Sequence, residues 1–147
     1  MKDIYDVIII GGGVVGCMTA RALSRFKLDI LLIEGASDVC TGASAANTAI
    51  VHPGYDPPPG SLKALLNVRA NRMWDELAAQ LHFDLERPGD YVVAIGEEEL
   101  PALERLLEQG RRNGVPGMGL ISSDEMRRRE PNINPAVSGA MWASTGG

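Results

Sequence analysis

Three glycines, Gly11, Gly13 and Gly16, stand at the spacing G-x-G-x-x-G, with Gly12 in the first variable place. They follow the apolar run Tyr5 to Ile10 without a break. The chemistry of such a spacing is phosphate binding by backbone. A strand that enters a tight glycine turn and then a helix aims the first N–H groups of that helix, here those of Val14 and Val15, at an anion. Gly11 makes the turn, Gly13 admits a pyrophosphate and Gly16 lets the helix close on the strand. Glu34 ends the next apolar run, about 20 residues on, where an acid accepts hydrogen bonds from adenosine ribose hydroxyls. Its charge disfavours a 2′-phosphate. These residues leave FAD and NAD open and set NADP aside.

The elements that must position this loop follow from periodicity. Ile4 to Ile10 predicts a buried parallel strand, Val14 to Phe26 a helix and Asp29 to Ile33 a second buried strand. Together they make one right-handed β-α-β unit. From Gly35 to Gly60 the pattern lapses into small, rather apolar residues that suit close packing. Ser61 to Leu81 predicts one long helix with Ser61 as N-cap. Leu62, Leu65, Leu66, Met73, Leu77 and Leu81 trace its core face. Arg69 lies in that stripe, as a structural ion pair sooner than an anion contact. Phe83 to Arg87 and Asp90 to Ile95 predict strands around Pro88-Gly89. Then come a helix over Glu97 to Arg112, a strand at Met118 to Ile121, a helix capped by Ser122 and Glu125, and a strand at Gly139 to Ala143. The fold class is α/β: a Rossmann-like β-α-β unit followed by an incomplete α+β segment. One such unit is only part of a doubly wound sheet, so the chain is expected to break off in mid-fold.

Composition removes several classes. With 147 residues, 45% hydrophobic and 22% charged, the chain can bury one sizeable core. The net charge of -5 argues against nonspecific nucleic-acid binding, which needs Lys and Arg to displace counterions. The basic runs Arg111-Arg112 and Arg127 to Arg129 read as solvated helix faces. Cys17 and Cys40 lack metal-ligand spacing and fit a reduced, cytoplasmic setting, and Cys17, one residue past the glycine loop, reads as a packing residue. No metal site is expected. No stretch reaches the roughly 20 apolar residues of a membrane span, though peripheral membrane contact stays open. His82, just past a helix end, reads as structural.

Residues 42–55, GASAANTAIVHPGY, and 59–74, PGSLKALLNVRANRMW, carry a resemblance. They are similar to the D-amino-acid-oxidase-like family of FAD-dependent oxidoreductases, in the branch of glycerol-3-phosphate dehydrogenases and L-2-hydroxyglutarate oxidases. The runs at 87–115 and 122–133 resemble the opening of that family's substrate domain. The resemblance implies FAD as cofactor. It implies that Gly42 and Ser44 lie beside the pyrophosphate, that Asn47, Thr48 and Ala49 pass the flavin ring, and that His52 stands near the isoalloxazine and substrate as a base or oxyanion partner. It also implies residues 1–81 as the N-terminal part of an FAD-binding domain and 82–147 as the start of a substrate domain. The partner would be a small anionic molecule, a hydroxy acid or polyol phosphate, whose electrons pass to oxygen, a quinone or another carrier. Members are much longer than this chain. The competing reading is therefore a nucleotide-binding piece without catalysis of its own.

Overall fold

The computed structural model describes residues 4–147. They fall into two compact units, one running to Ala49 and the other Ile50–Gly147.

In the first unit, strand β1 (Val7–Ile10) pairs in parallel with β2 (Ile30–Ile33), from Val7 opposite Ile30 to Ile10 opposite Ile33. Helix α1 (Val14–Leu23) connects them. The start of the pair is pinned twice: the Asp6 N–H donates to the Asp29 carbonyl at 2.9 Å and the Asp29 N–H to Asp6 Oδ2 at 2.8 Å. The expected buried strand is only half buried. Ile9 faces Gly16 of α1 and is 8% exposed, whereas Ile8 and Ile10 are 55% and 86% exposed. Alternate strand residues point to opposite faces, and α1 covers one face only.

The second unit centres on an antiparallel sheet in the order β3 (Asp90–Ile95), β5 (Val137–Ala143), β4 (Met118–Ser122). Alternation along the strands builds a core on each face. Helix α4 (Leu100–Asn113) packs Leu103 and Leu107 against Ala94, Met141 and Ala143. Helix α5 (Ser123–Arg129) sets Met126 against Val137 and Ala140 on the other face. Ser122 caps α5 as its sequence predicts, accepting from the Glu125 N–H at 3.3 Å. The Arg129 guanidinium lies 4.6 Å from the centroid of the Trp142 ring, which stacks on Tyr91.

Three sequence expectations fail here for physical reasons. The single helix over Ser61 to Leu81 is two, α2 (Leu62–Asn71) and α3 (Trp74–Leu81). In an unbroken helix the Asn71 carbonyl would accept from the Asp75 N–H. Instead it accepts from Arg87 Nη2 at 2.9 Å, and the same nitrogen pairs with Asp75 Oδ2 at 2.8 Å. The expected core stripe is also wrong. Leu62, Leu65 and Leu66 are exposed, and α2 buries Ala64, Val68 and Asn71. Small and amide-bearing residues allow that closeness: a Cβ on Gly54 would lie 2.9 Å from Val68 Cγ2. Finally, Phe83 to Arg87 forms no strand. It pairs with no ladder, and Pro88 has no N–H to extend one.

Candidate dinucleotide-binding site

Each glycine of the loop has its own steric reason. Gly11 takes a left-handed φ of 101° with open space on its side-chain face, and its N–H donates to the Ile33 carbonyl at 2.8 Å. A side chain at that φ is strained. A Cβ on Gly16 would collide with the Gly11 carbonyl oxygen, so helix and turn touch backbone to backbone. Gly13 is the N-cap of α1, and its side-chain face lies against Ser44 Oγ. Gly12 is buried between Val39 and Glu34. Its N–H donates to Glu34 Oε2 at 2.6 Å.

Glu34 thereby reaches back across the turn. Its other oxygen accepts from the Ala36 N–H at 2.8 Å. The backbone bonds from Ala36 and Gly12 hold its carboxyl below the ordinary value of 4.5. The site therefore presents a carboxylate, the form that accepts from ribose hydroxyls.

The irregular segment after β2 folds back to α1. Ser44 Oγ accepts from the Val14 N–H at 2.9 Å, and its own proton can turn to an anion. Gly42 supports it by accepting from the amides of Ala45 and Ala46 at 3.0 and 3.3 Å. Asn47 closes the next turn, donating to the Ser44 carbonyl at 2.9 Å and accepting from the Ala49 N–H at 2.8 Å. Ala49 adopts a left-handed φ of 55°, and Thr48 is exposed between them. Gly11, Gly13, Val14, Val15, Gly16 and Ser44 line a cleft of about 350 Å³, with Val15 78% exposed at its rim. Two cysteines also converge here. Cys17 and Cys40 both direct their thiols to the Gly12 carbonyl.

His52 belongs to the second unit, and backbone bonds fix it on all sides. Val51 and Gly147 exchange N–H···O bonds of 2.6 and 3.2 Å. The His52 carbonyl accepts from Asn71 Nδ2 at 3.1 Å. From α4, Gln109 donates to the carbonyls of Tyr55 and Asp56, and Asn113 to those of Gly54 and Pro57. The main chain is thus held while the His52 side chain stays exposed. It lines a cavity of about 400 Å³ together with Tyr55, Asp56, Lys63 and Asn67. Tyr55 closes one wall by donating to Asp90 Oδ2 at 2.6 Å; burial and that bond push its hydroxyl pKa up. Asn71, 6% exposed, is the site residue that sequence reasoning missed. A polar side chain on the buried face of α2 was its only signal.

A family model described as FAD dependent oxidoreductase (DAO) matches residues 6–147. The chain belongs to that family.

Among similar proteins of this FAD-dependent oxidoreductase family is the glycerol 3-phosphate dehydrogenase of Caloramator mitchellensis, 44% identical over 143 residues. That match covers 97% of this chain and 30% of the relative. Human mitochondrial L-2-hydroxyglutarate dehydrogenase is 36% identical over 129 residues, covering 86% of this chain and 28% of that protein. The chain therefore spans about 30% of the length of these relatives. Among solved structures, dithionite-reduced L-alpha-glycerophosphate oxidase of Mycoplasma pneumoniae, with FAD bound, superposes with a TM-score of 0.89 at 31% identity. It covers 99% of this chain and 38% of that one. The observed α/β arrangement is the FAD-binding fold, and FAD is the cofactor. The residues present fit that group. The N-cap of α1 is a glycine with no side chain of its own, the turn has open space at Gly11, and the acid at the end of β2 is held in its ionised form. Among the described residues no group of His, Cys, Asp and Glu could hold a metal, and no helix is long and apolar enough to cross a membrane.

Proposed function

We propose that this chain forms the FAD-binding N-terminal part of an oxidoreductase that oxidises a small hydroxy acid or polyol phosphate, as a glycerol-3-phosphate dehydrogenase does. One observation carries the cofactor half of this reading: the glycine turn and Ser44 line one cleft with backbone amides and a hydroxyl, and the Glu34 carboxylate is bound to the Gly12 N–H of that turn. In this reading the amides of Val14 and Val15 receive the pyrophosphate, and Gly11, Gly12, Gly13 and Gly16 keep the turn free of side chains. Glu34 takes the ribose hydroxyls. Gly42 and Ser44 close over the phosphates, and Asn47, Thr48 and Ala49 border the flavin. Residues 1–81 serve the cofactor and 82–147 open the substrate domain, a division by role rather than by contact. We place the protein in the cytoplasm.

The substrate half rests on His52 and on the 44% identity to a glycerol 3-phosphate dehydrogenase. Bound FAD supplies a two-electron acceptor for the hydride of the substrate's carbinol C–H. His52 takes the hydroxyl proton at a ring nitrogen, and its clamped main chain keeps that nitrogen in place. Lys63, in the same cavity, offers a positive charge to an anionic substrate.

A spectrum tests both halves. The purified chain, mixed with FAD and freed of excess, is expected to show a flavin band near full occupancy. Anaerobic glycerol 3-phosphate or L-2-hydroxyglutarate is expected to bleach it, and His52→Gln to keep the band while losing the bleaching. No band would sink the cofactor assignment. A band that no such substrate bleaches would favour the second reading, a nucleotide-binding piece without turnover.

A further inference from the structure

The carbonyl of Gly12, at the middle of the glycine turn, accepts from three donors supplied by two cysteines. The Cys40 N–H donates at 2.9 Å, the Cys17 thiol at 3.2 Å and the Cys40 thiol at 3.6 Å. The N–H of the same residue is taken by Glu34, to which it donates at 2.6 Å. Two thiols that meet at one oxygen are neighbours. Both are free and partly exposed, so a small oxidant can reach them.

We propose that Cys17 and Cys40 close into a reversible intramolecular disulfide that weakens the grip of the glycine loop on FAD. Cys17 sits in the first turn of α1, where its N–H is bound to the Gly13 carbonyl at 2.9 Å. Cys40 lies in the irregular segment after β2 at a left-handed φ of 57°, a conformation a cysteine adopts only when held. A disulfide brings the sulfurs to about 2.05 Å, so the 35–40 segment is the part that moves.

The oxidant is a peroxide. One thiol gives an electron pair to hydrogen peroxide and becomes a sulfenic acid, with loss of water. The second thiol attacks that sulfur, the S–S bond forms, and a second water leaves. The two sulfurs lose two electrons together, and peroxide is reduced to two waters. A disulfide has no S–H, so the Gly12 carbonyl loses both thiol donors. Val39, which lies over Gly12, and the backbone beside Glu34 are drawn along with Cys40. Loss of one or two neutral hydrogen bonds on the cofactor loop corresponds to about a tenfold weaker FAD affinity.

This rests on the glycine loop being the FAD site, and the test keeps the two apart. The reduced chain is titrated with FAD by flavin fluorescence, before and after exposure to hydrogen peroxide, and its free thiols are counted by maleimide mass labelling under denaturing conditions. The expected result is a chain that loses two hydrogens, takes up no maleimide and binds FAD about tenfold more weakly, with both changes reversed by dithiothreitol. Cys17→Ser and Cys40→Ser are each expected to form no intramolecular disulfide with peroxide and, whatever their starting affinity, to show no tenfold loss of FAD binding that dithiothreitol reverses. Two maleimides after peroxide, or a disulfide that leaves FAD affinity unchanged or tighter, would overturn the proposal while leaving the FAD site standing. A reduced chain that binds no FAD overturns both.

Discussion

An alanine at position 16 would place its Cβ against the carbonyl oxygen of Gly11, which is backbone and cannot swing away. Gly16→Ala must therefore push α1 off the turn, at a cost of about 1–3 kcal/mol. It is expected to lower the urea midpoint and to abolish the flavin band, whereas Gly35→Ala, which meets open space, should do neither. Glu34 makes a second prediction through pH. Its folded carboxyl titrates below the ordinary 4.5 because Ala36 and Gly12 donate to the ionised form. Its contribution to stability is then complete above the unfolded value and disappears as pH falls through the folded one. Thermal melts of the parent should drop below pH 4.5 more steeply than those of Glu34→Gln, and the two should meet at lower pH. Superimposable acid profiles would mean that the Gly12 and Ala36 amides do not bind the carboxylate in solution.

Elements in this fold end where side chains far along the chain intervene, and the break between α2 and α3 is the clearest case. Arg87 donates to the Asn71 carbonyl and Oδ1, to the Thr145 carbonyl at 2.6 Å and to Asp75. Arg87→Ala frees the Asn71 carbonyl and strands several half-buried acceptors. A loss of about 2–3 kcal/mol in urea melts is expected. Asn71→Asp keeps an acceptor for Arg87 but removes the donor to the His52 and Thr145 carbonyls. It should melt closer to the parent, yet speed amide exchange at Val51 and Gly147, which that donor holds together. If Arg87→Ala melts like the parent, the guanidinium does not set the helix end. This distance explains what was legible in the sequence. The turn at Gly11 and the cap at Ser122 were, because each signal and the conformation it sets sit within one short stretch. The buried face of α2 was not. Leu62, Leu65 and Leu66 have helical spacing, but Gly54, His52 and Arg87 decide which side is covered.

At the scale of the whole molecule, the buried core of the described residues lies mostly in the second unit, and the glycine turn lies in the first. The second unit has a central strand, β5, paired on both edges and covered by helices on both faces. Among its described residues the first unit has two four-residue strands, one helix and a single buried strand residue, Ile9. Two strands with one covered face are marginal alone. Amides of β1 and α1 should therefore exchange much faster than those of β5 in the free chain. A ligand that binds only the folded loop stabilises it by about 2.7 kcal/mol at a hundredfold excess over its Kd. Saturating FAD is accordingly expected to slow exchange by up to about a hundredfold at residues 11–16 and at Ala36, and to leave β5 unchanged. ADP carries the ribose and pyrophosphate but no flavin. It should reproduce protection at the glycine turn while leaving Asn47 to Ala49 as fast as in the free chain. Hydrogen exchange measured in parallel with both ligands thus separates the phosphate contacts from the flavin contacts. Equal protection of Asn47 to Ala49 by ADP and FAD would remove those residues from the flavin's border, and protection confined to the second unit would move the cofactor away from the glycine turn altogether.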